Sequence, residues 1–263
     1  MGWHRELLIG FDLETTGTDP REARIVTAAV IEVADGERRG HRTWLADPGI
    51  PIPAGATAVH GITDARAAAE GSPPDRVADA VAEALTGYWR AGVPVVAYNA
   101  PFDLTLLAAE LRRHRLPSLA ERLGGAPVGP VIDPLTVDRA VDRYRKGSRR
   151  LSAVCAEYGV TLEEAHDASA DALAAARLAR AIALRHPPRH HHPSPPEPPP
   201  PPSRGLPPQP PPPKVAALGA AALHERQIGW AAERAADFQA YLRRKGERGA
   251  VVDGGWPLHA EAA

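Results

Sequence analysis

Four acids and one histidine hold the chemical interest of this sequence. "FDLETTG" puts Asp12 and Glu14 one residue apart, straight after Leu7, Leu8 and Ile9. Alternate residues of a strand face the same side, so these two carboxylates converge. Like charges this close repel unless a cation lies between them or one acid is protonated. The simpler reading has both acids as caps of the polar "TTGTDP" turn. "YNAPFDL" supplies Asp103 in the first turn of a helix starting near Pro101, where the helix dipole also favours an acid. Asn99 either caps that helix or contacts a ligand. "HDASADA" supplies His166 and Asp171. On one helix, five residues give ~500° of rotation, so the pair would diverge by ~140°. With His166 in a loop before the helix, both reach one pocket, and Asp167 or Ser169 serves as the cap.

Carboxylate oxygens without thiolates suit Mg²⁺ or Mn²⁺ better than a structural zinc. Two such ions ~3.5–4 Å apart can hold the attacking and leaving oxygens of an in-line phosphoryl displacement. An imidazole can take a proton from the attacking water near neutral pH, and that role is open to His166.

The three motifs together resemble the DEDDh 3′–5′ exonucleases, the superfamily of the proofreading epsilon subunit of bacterial DNA polymerase III. Each motif is weak alone; their order, types and separations agree over about residues 5–185. The resemblance implies an α/β fold, a ribonuclease-H-like five-stranded mixed sheet flanked by helices. It implies hydrolysis from a 3′ end with release of nucleoside monophosphates. Asp12, Glu14, Asp103 and Asp171 would ligate two Mg²⁺ or Mn²⁺ ions, with His166 as general base. Thr15 and Thr16 would approach the terminal nucleotide, partly through backbone amides. His60, in the family-like loop "AVHGIT", would contact substrate, as would Asn99 and Phe102. Tyr98 departs from the family, whose members often read "HNA". The implied substrate is a single-stranded or frayed DNA 3′ end. RNA trimming is the alternative, because sugar choice depends on how Glu14, Thr15 and the nearby backbone meet the hydroxyls. A non-catalytic binding module on this fold is a third reading, disfavoured by the complete set of five residues.

The elements that must position these groups are legible as patterns. "RELLIGFD" and "RIVTAAVIEVA" are of strand length and rich in apolar and β-branched residues. "RGHRTWLAD" alternates after a turn at Gly36, and "VPVVAYN" is a short buried strand. Helical patterns cover about 74–91, 101–115, 134–144, 151–158 and 168–185. Strands first, then strands alternating with helices, predict a mixed sheet covered by helices. Asp133 stands at a strand end but is expected to cap the helix starting at Pro134. The basic run Arg143–Arg150 is a solvated loop or a phosphate-contacting rim. Trp3, Trp44 and Trp89 read as packing residues.

Composition divides the 263 residues into three. Residues 187–213 hold more than half of the 29 prolines, which precludes helix and sheet and predicts an extended spacer. The expected domains are therefore an exonuclease domain at 1–186, a proline-rich linker at 187–214 and an amphipathic helical segment at 215–263. His190–His192 read as a solvated part of the spacer. In the last segment Leu223, Trp230, Phe238, Tyr241 and Leu242 share one helical stripe. Such a stripe must dock on the N-terminal domain, on a second copy or on a protein partner, in the manner of a recruitment helix. The formal net charge of −1 gives no global positive field, so nucleic-acid binding needs a local groove or metal ions. A single cysteine, Cys155, excludes an intrachain disulfide. No run approaches the ~18 apolar residues of a membrane span, and the expected location is the cytoplasm.

Overall fold

The computed structural model describes residues 2–163, 165–186 and 214–259. Five strands, β1 (Leu8–Thr15), β2 (Ile25–Ala34), β3 (Glu37–Leu45), β4 (Val95–Val96) and β5 (Val131–Ile132), form one sheet in the order β3-β2-β1-β4-β5. The first three pair antiparallel, whereas β4 joins β1, and β5 joins β4, in parallel. Asp35 and Gly36 form the two-residue turn between β2 and β3, both at positive φ, as a twist-matched hairpin requires.

The helices are α1 (Ala54–His60), α2 (Asp64–Glu70), α3 (Pro74–Arg90), α4 (Ala100–Arg113), α5 (Leu119–Arg122), α6 (Pro134–Val141), α7 (Leu151–Tyr158), α8 (Ala168–Arg185) and α9 (Ala220–Arg244). Alternation along β1 sorts them onto two faces. Ile9, Phe11 and Leu13 point into a core with Val81 and Leu85 of α3 and Leu104 and Leu107 of α4. Leu8 points into a second core with α8 residues Ala175, Leu178 and Ile182. Positions 10, 12 and 14 share the face of Leu8, so Asp12 and Glu14 lie on the side covered by α8. A Cβ on Gly10 would stand 2.2 Å from the carbonyl oxygen of Ala172. The missing side chain is what lets the first turns of α8 press against β1.

Helices α1, α2 and α5, of seven, seven and four residues, are absent from the sequence reading. They are too short to show an apolar stripe. The "AVHGIT" segment is accordingly the end of α1 with Gly61 as its left-handed cap, not wholly a loop. Helix α6 stops at Val141, three residues before the expected end, because Asp142 leaves helical geometry. Trp3 and Trp89 are buried and Trp44 packs against the core that holds Trp89, as expected.

The helical stripe of residues 215–263 is only half available to a partner. Leu223 is fully buried and Trp230 packs against the α8 side of the core, while Phe238 and Tyr241 remain exposed and stacked on each other. Polar bonds add to this apolar anchoring of α9. His224 Nδ1 accepts from the Val131 amide at 3.1 Å, Gln227 donates to the Val131 carbonyl at 3.0 Å and Gln227 Oε1 accepts from the Asp133 amide at 2.8 Å. Strand β5 is the sheet edge, and α9 satisfies the groups a sixth strand would otherwise pair. The following segment folds back: Trp256 is buried against His224, and the His259 amide donates to Thr105 Oγ1 at 2.8 Å. The spacer and His190–His192 lie outside the described residues. Among the described residues, no helix is long and apolar enough to cross a membrane.

Candidate active site

Strand β4 is only two residues long, so its pairing with β1 ends at Gly10. Beyond that point the β1 edge has main-chain groups to spare. Asp103, in the first turn of α4, fills the gap: its Oδ1 accepts from the Leu13 amide at 3.1 Å. The amide between Asp12 and Glu14 thus carries the third acid to them. From the other side, α8 starts at an N-terminus capped by Asp167, whose carboxylate accepts from the Ser169 and Ala170 amides. One turn on, Asp171 faces β1.

His166 lies before the helix in the left-handed region, at φ 70°. Its amide donates to Asp171 Oδ2 at 3.2 Å. This loop conformation removes the divergence a helical pair would have. Ligand-capable atoms of Glu14, His166 and Asp171 all come within 4.8 Å of one another.

Burial and mutual repulsion dominate the electrostatics. Burial raises the Asp12 carboxyl well above the usual range, and the charges of Asp103, Asp171, Glu14 and Asp167 push it further. Glu14 is pushed up to about 8, by burial first and then by Asp171 and Asp167. Asp103 is raised well above the usual range by burial, against the opposing Leu13 hydrogen bond. Asp171 is raised too, by burial against the His166 amide. Asp171 Oδ1 is buried with no hydrogen-bond partner among the described residues. Four converging acids, an orphaned carboxylate oxygen and an adjacent imidazole fit a divalent cation.

The expected substrate contacts are placed unevenly. His60 borders a cleft of about 770 Å³ facing Ala165–Ser169, so it and His166 share a wall-to-wall space over β2 and β3. Its Nδ1 accepts from the Ile62 amide at 3.1 Å, and burial lowers its pKa. Thr15 is half-buried, with its hydroxyl donating to the Gly17 carbonyl at 2.7 Å. Thr16 is turned inward. Its amide donates to Arg24 O and its hydroxyl accepts from the Arg24 amide, both at 3.0 Å. It shapes the turn after β1. Asn99 occupies the position before α4 at φ 66°, but its exposed side chain makes no capping bond. Phe102 is half-buried against the core.

Asp133 caps α6, accepting from the Leu135 amide and the Thr136 hydroxyl, and also from the Asn99 amide at 2.9 Å. Tyr98 donates to the Arg149 carbonyl at 2.6 Å. It tethers the basic loop instead of reaching the acids. Arg145 and Arg149 in that loop grip the buried Asp138, and Arg143 pairs with Asp237. Arg145 and Arg149 are thereby committed to structure, while Arg143, Lys146 and Arg150 of the run stay exposed. The sequence reading missed the Leu13 amide and Gly10, since neither carries a chemical side chain; a small residue amid a strand's apolar run was the one available signal.

A mixed sheet whose central strand ends in paired acids, completed by acids from two helices, defines a nuclease-type acidic centre on a ribonuclease-H-like fold. Residues 9–179 match the sequence profile of the RNase_T exonuclease family, and the chain belongs to that family. It is 36% identical over 173 residues to a DNA polymerase III subunit epsilon-like protein of Rhodobacter capsulatus, covering 63% of this chain and 22% of that protein. It is 30% identical to the PolC-type DNA polymerase III of Streptococcus agalactiae, over 68% of this chain and 11% of that one. The chain thus spans under a quarter of the length of these relatives. Among solved structures, E. coli exonuclease I in a zinc-bound complex with single-stranded DNA superposes with a TM-score of 0.58 at 23% identity, over 68% of this chain and 41% of that chain. Exonuclease I of Methylocaldum szegediense gives 0.54 at 27% identity, over 68% and 40%.

Proposed function

We propose that the protein is a metal-dependent 3′–5′ exonuclease that hydrolyses phosphodiester bonds at DNA 3′ ends and releases nucleoside monophosphates. The observation that supports this reading is the gathering of Glu14, Asp171 and His166 within 4.8 Å of one another, with Asp12 and Asp103 electrostatically coupled to the same acids. The likeness to polymerase III proteins and to a structure holding single-stranded DNA favours DNA over RNA.

Asp12, Glu14, Asp103 and Asp171 would hold two Mg²⁺ or Mn²⁺ ions. When bound, such ions supply charge neutralisation for the phosphodiester and a water acidic enough to attack it. His166 stands exposed at the mouth of this cluster, where its ring can accept the proton of the attacking water. The left-handed backbone of His166 and its amide bond to Asp171 hold that ring over the acids. His60 closes the opposite side of the cleft and would meet the terminal nucleotide. Thr15, at the irregular end of β1, and Phe102, before Asp103, would border the same end group, with Asn99 on the strand leading away.

The test is digestion of 5′-labelled DNA and RNA oligomers of one sequence with Mg²⁺ or Mn²⁺, using Asp12→Ala as control. Stepwise shortening of DNA from the 3′ end is expected. Faster loss of RNA would reassign the substrate, and degradation of neither with either metal would overturn the enzymatic reading.

A further inference from the structure

A second cleft, of about 790 Å³, lies between α6, α9 and the segment that follows α9. Its size is within the ~300–1,000 Å³ of ordinary ligand sites. Asn99 and Pro101 are among its lining residues. Asp103 of the acid cluster is two residues further along, so the first turn of α4 borders both places.

The cleft contains two guanidiniums held by no ion pair, and the one acid whose charge favours either of them, Asp133 beside Arg139, is already engaged by amides and a hydroxyl. Arg139 of α6 is half-buried and Arg234 of α9 is exposed above it. Neither forms an ion pair or hydrogen bond among the described residues. Burial and then the nearby Arg234 charge lower the Arg139 pKa, against the favourable Asp133 charge, and burial and then the Arg149 charge lower that of Arg234. The other charges along the walls are largely committed. Arg143 is held by Asp237, and Asp133 accepts from the Asn99 and Leu135 amides and the Thr136 hydroxyl. Asp253 approaches Arg21 and His259. Glu233 also borders the cleft. Trp230, Tyr144 and Phe238 add ring surface, and the last two are exposed.

Two like charges gathered in a partly buried cleft are costly unless an anion joins them. A planar guanidinium matches a phosphate oxygen pair, and rings between cations suit unpaired bases. We infer that α6 and α9 form the path of the single strand upstream of the scissile bond, with a backbone phosphate held between Arg139 and Arg234. This rests on the exonuclease reading for the position of the scissile bond. The C-terminal helix is then part of the substrate channel, outside the span matched by the family, and its exposed aromatic pair extends the strand's track.

The experiment measures binding and cleavage separately. Fluorescent oligo(dT) of three and of fifteen nucleotides is titrated by anisotropy onto the full chain in EDTA, for wild type, Arg234→Glu and Arg139→Gln. The expected result is about tenfold or greater weakening of the fifteen-nucleotide strand by Arg234→Glu. The plot of log affinity against log salt should flatten by ~0.7 for each phosphate that an arginine no longer neutralises. The three-nucleotide strand should be weakened less. Arg234 is exposed, so its substitution does not threaten the fold; Arg139→Gln keeps a polar group in the half-buried position and should shift affinity in the same sense. Equal affinity of wild type and Arg234→Glu for the longer strand, or equal weakening on both lengths, overturns the inference. Cleavage is read on the same strands with Mg²⁺ or Mn²⁺. Arginine-dependent binding without cleavage by wild type would uphold the channel and overturn the exonuclease reading. Cleavage with arginine-independent binding would do the reverse.

Discussion

The Asp103 carboxylate accepts the Leu13 amide at 3.1 Å, so the acid from α4 is fastened to the peptide that separates Asp12 from Glu14. The bond is possible because β4 stops pairing after Gly10. One oxygen of Asp103 therefore has a structural duty, and its negative charge a chemical one. Asp103→Asn separates the two. An amide oxygen can still accept from Leu13, but the charge is gone. Nuclease activity should fall by more than the ~100-fold that loss of an outer-shell partner can cost. The metal-free variant should melt no lower than wild type, since one member of a repelling cluster is neutral. Steady-state kinetics and calorimetry on one preparation check both.

Stability of the metal-free protein should fall as pH rises. Glu14 is pushed up to about 8 in the fold, and Asp12, Asp103 and Asp171 are all raised above the ordinary range. In the unfolded chain these acids ionise near ~4. Below that pH both states hold the protons and the fold carries no penalty. As pH climbs toward 8 the unfolded state releases protons first, and folding is progressively opposed. The melting temperature in EDTA should therefore decline between about pH 5 and pH 8. Mg²⁺ or Mn²⁺ should raise it most at the upper end, where the carboxylates are free to ligate. A flat profile in EDTA would contradict the burial of this cluster.

Gly10→Ala tests how α8 delivers Asp171. The new methyl would meet the Ala172 carbonyl oxygen at 2.2 Å, and a main-chain atom cannot rotate away. Helix α8 must shift outward, and Asp171 moves with it. Overpacking of this kind costs about 1–3 kcal/mol, or a fall in melting temperature of about 2–4 °C per kcal/mol. Activity should drop further than stability does, because Asp171 and His166 leave β1 together. Thermal melts compared with kcat give the answer.

The parts that were legible in the sequence are those where function is written in side chains on local patterns. Asp12 and Glu14 follow an apolar strand at the two-residue period, Asp103 follows a short buried strand, and Asp171 opens a long alanine-rich helix. The five-stranded arrangement came with the resemblance rather than from periodicity, because two-residue strands such as β4 and β5 have none. Helices α1 and α2 hid for a similar reason. Docking of the Leu223 and Trp230 stripe on the N-terminal domain was one of three alternatives open in the sequence, but its polar half was unreadable because it depends on His224 and Gln227, polar residues on a helix that reads as amphipathic. They meet the main chain of Val131 and Asp133 across more than ninety residues. Arg139 and Arg234 look like ordinary surface charges until α6 and α9 bring them to one cleft. Tyr98, read as a departure from the resemblance, is put to use by the structure in holding Arg149.

Gln227 should matter to stability beyond its size. Its side chain is fully buried and serves both the Val131 carbonyl and the Asp133 amide, while also reaching the Leu223 carbonyl at 3.2 Å. Gln227→Ala would leave two buried main-chain groups of the sheet edge without partners, each costing about 1–3 kcal/mol. Gln227→Glu keeps the acceptor for Asp133 but loses the donor to Val131, and it sets a negative charge near Asp133. Both variants should unfold at lower denaturant than wild type. If α9 were a loosely held arm, neither would change the midpoint for the N-terminal domain.

His166→Ala probes the proton-transfer role apart from the acids. The imidazole is exposed, and the backbone bond from residue 166 to Asp171 does not depend on the ring. The loop and the capping of α8 by Asp167 should therefore survive, and the melting temperature should hold. Loss of a positioned base is worth ~10²–10⁴-fold in rate, so kcat should fall by that order. Because ring atoms of His166 lie close to Glu14 and Asp171, the variant also asks whether the ring is a ligand. A base-only role predicts that Mn²⁺ affinity by calorimetry stays near wild type while kcat collapses. A ligand role predicts that affinity falls with the rate, and that added metal restores activity.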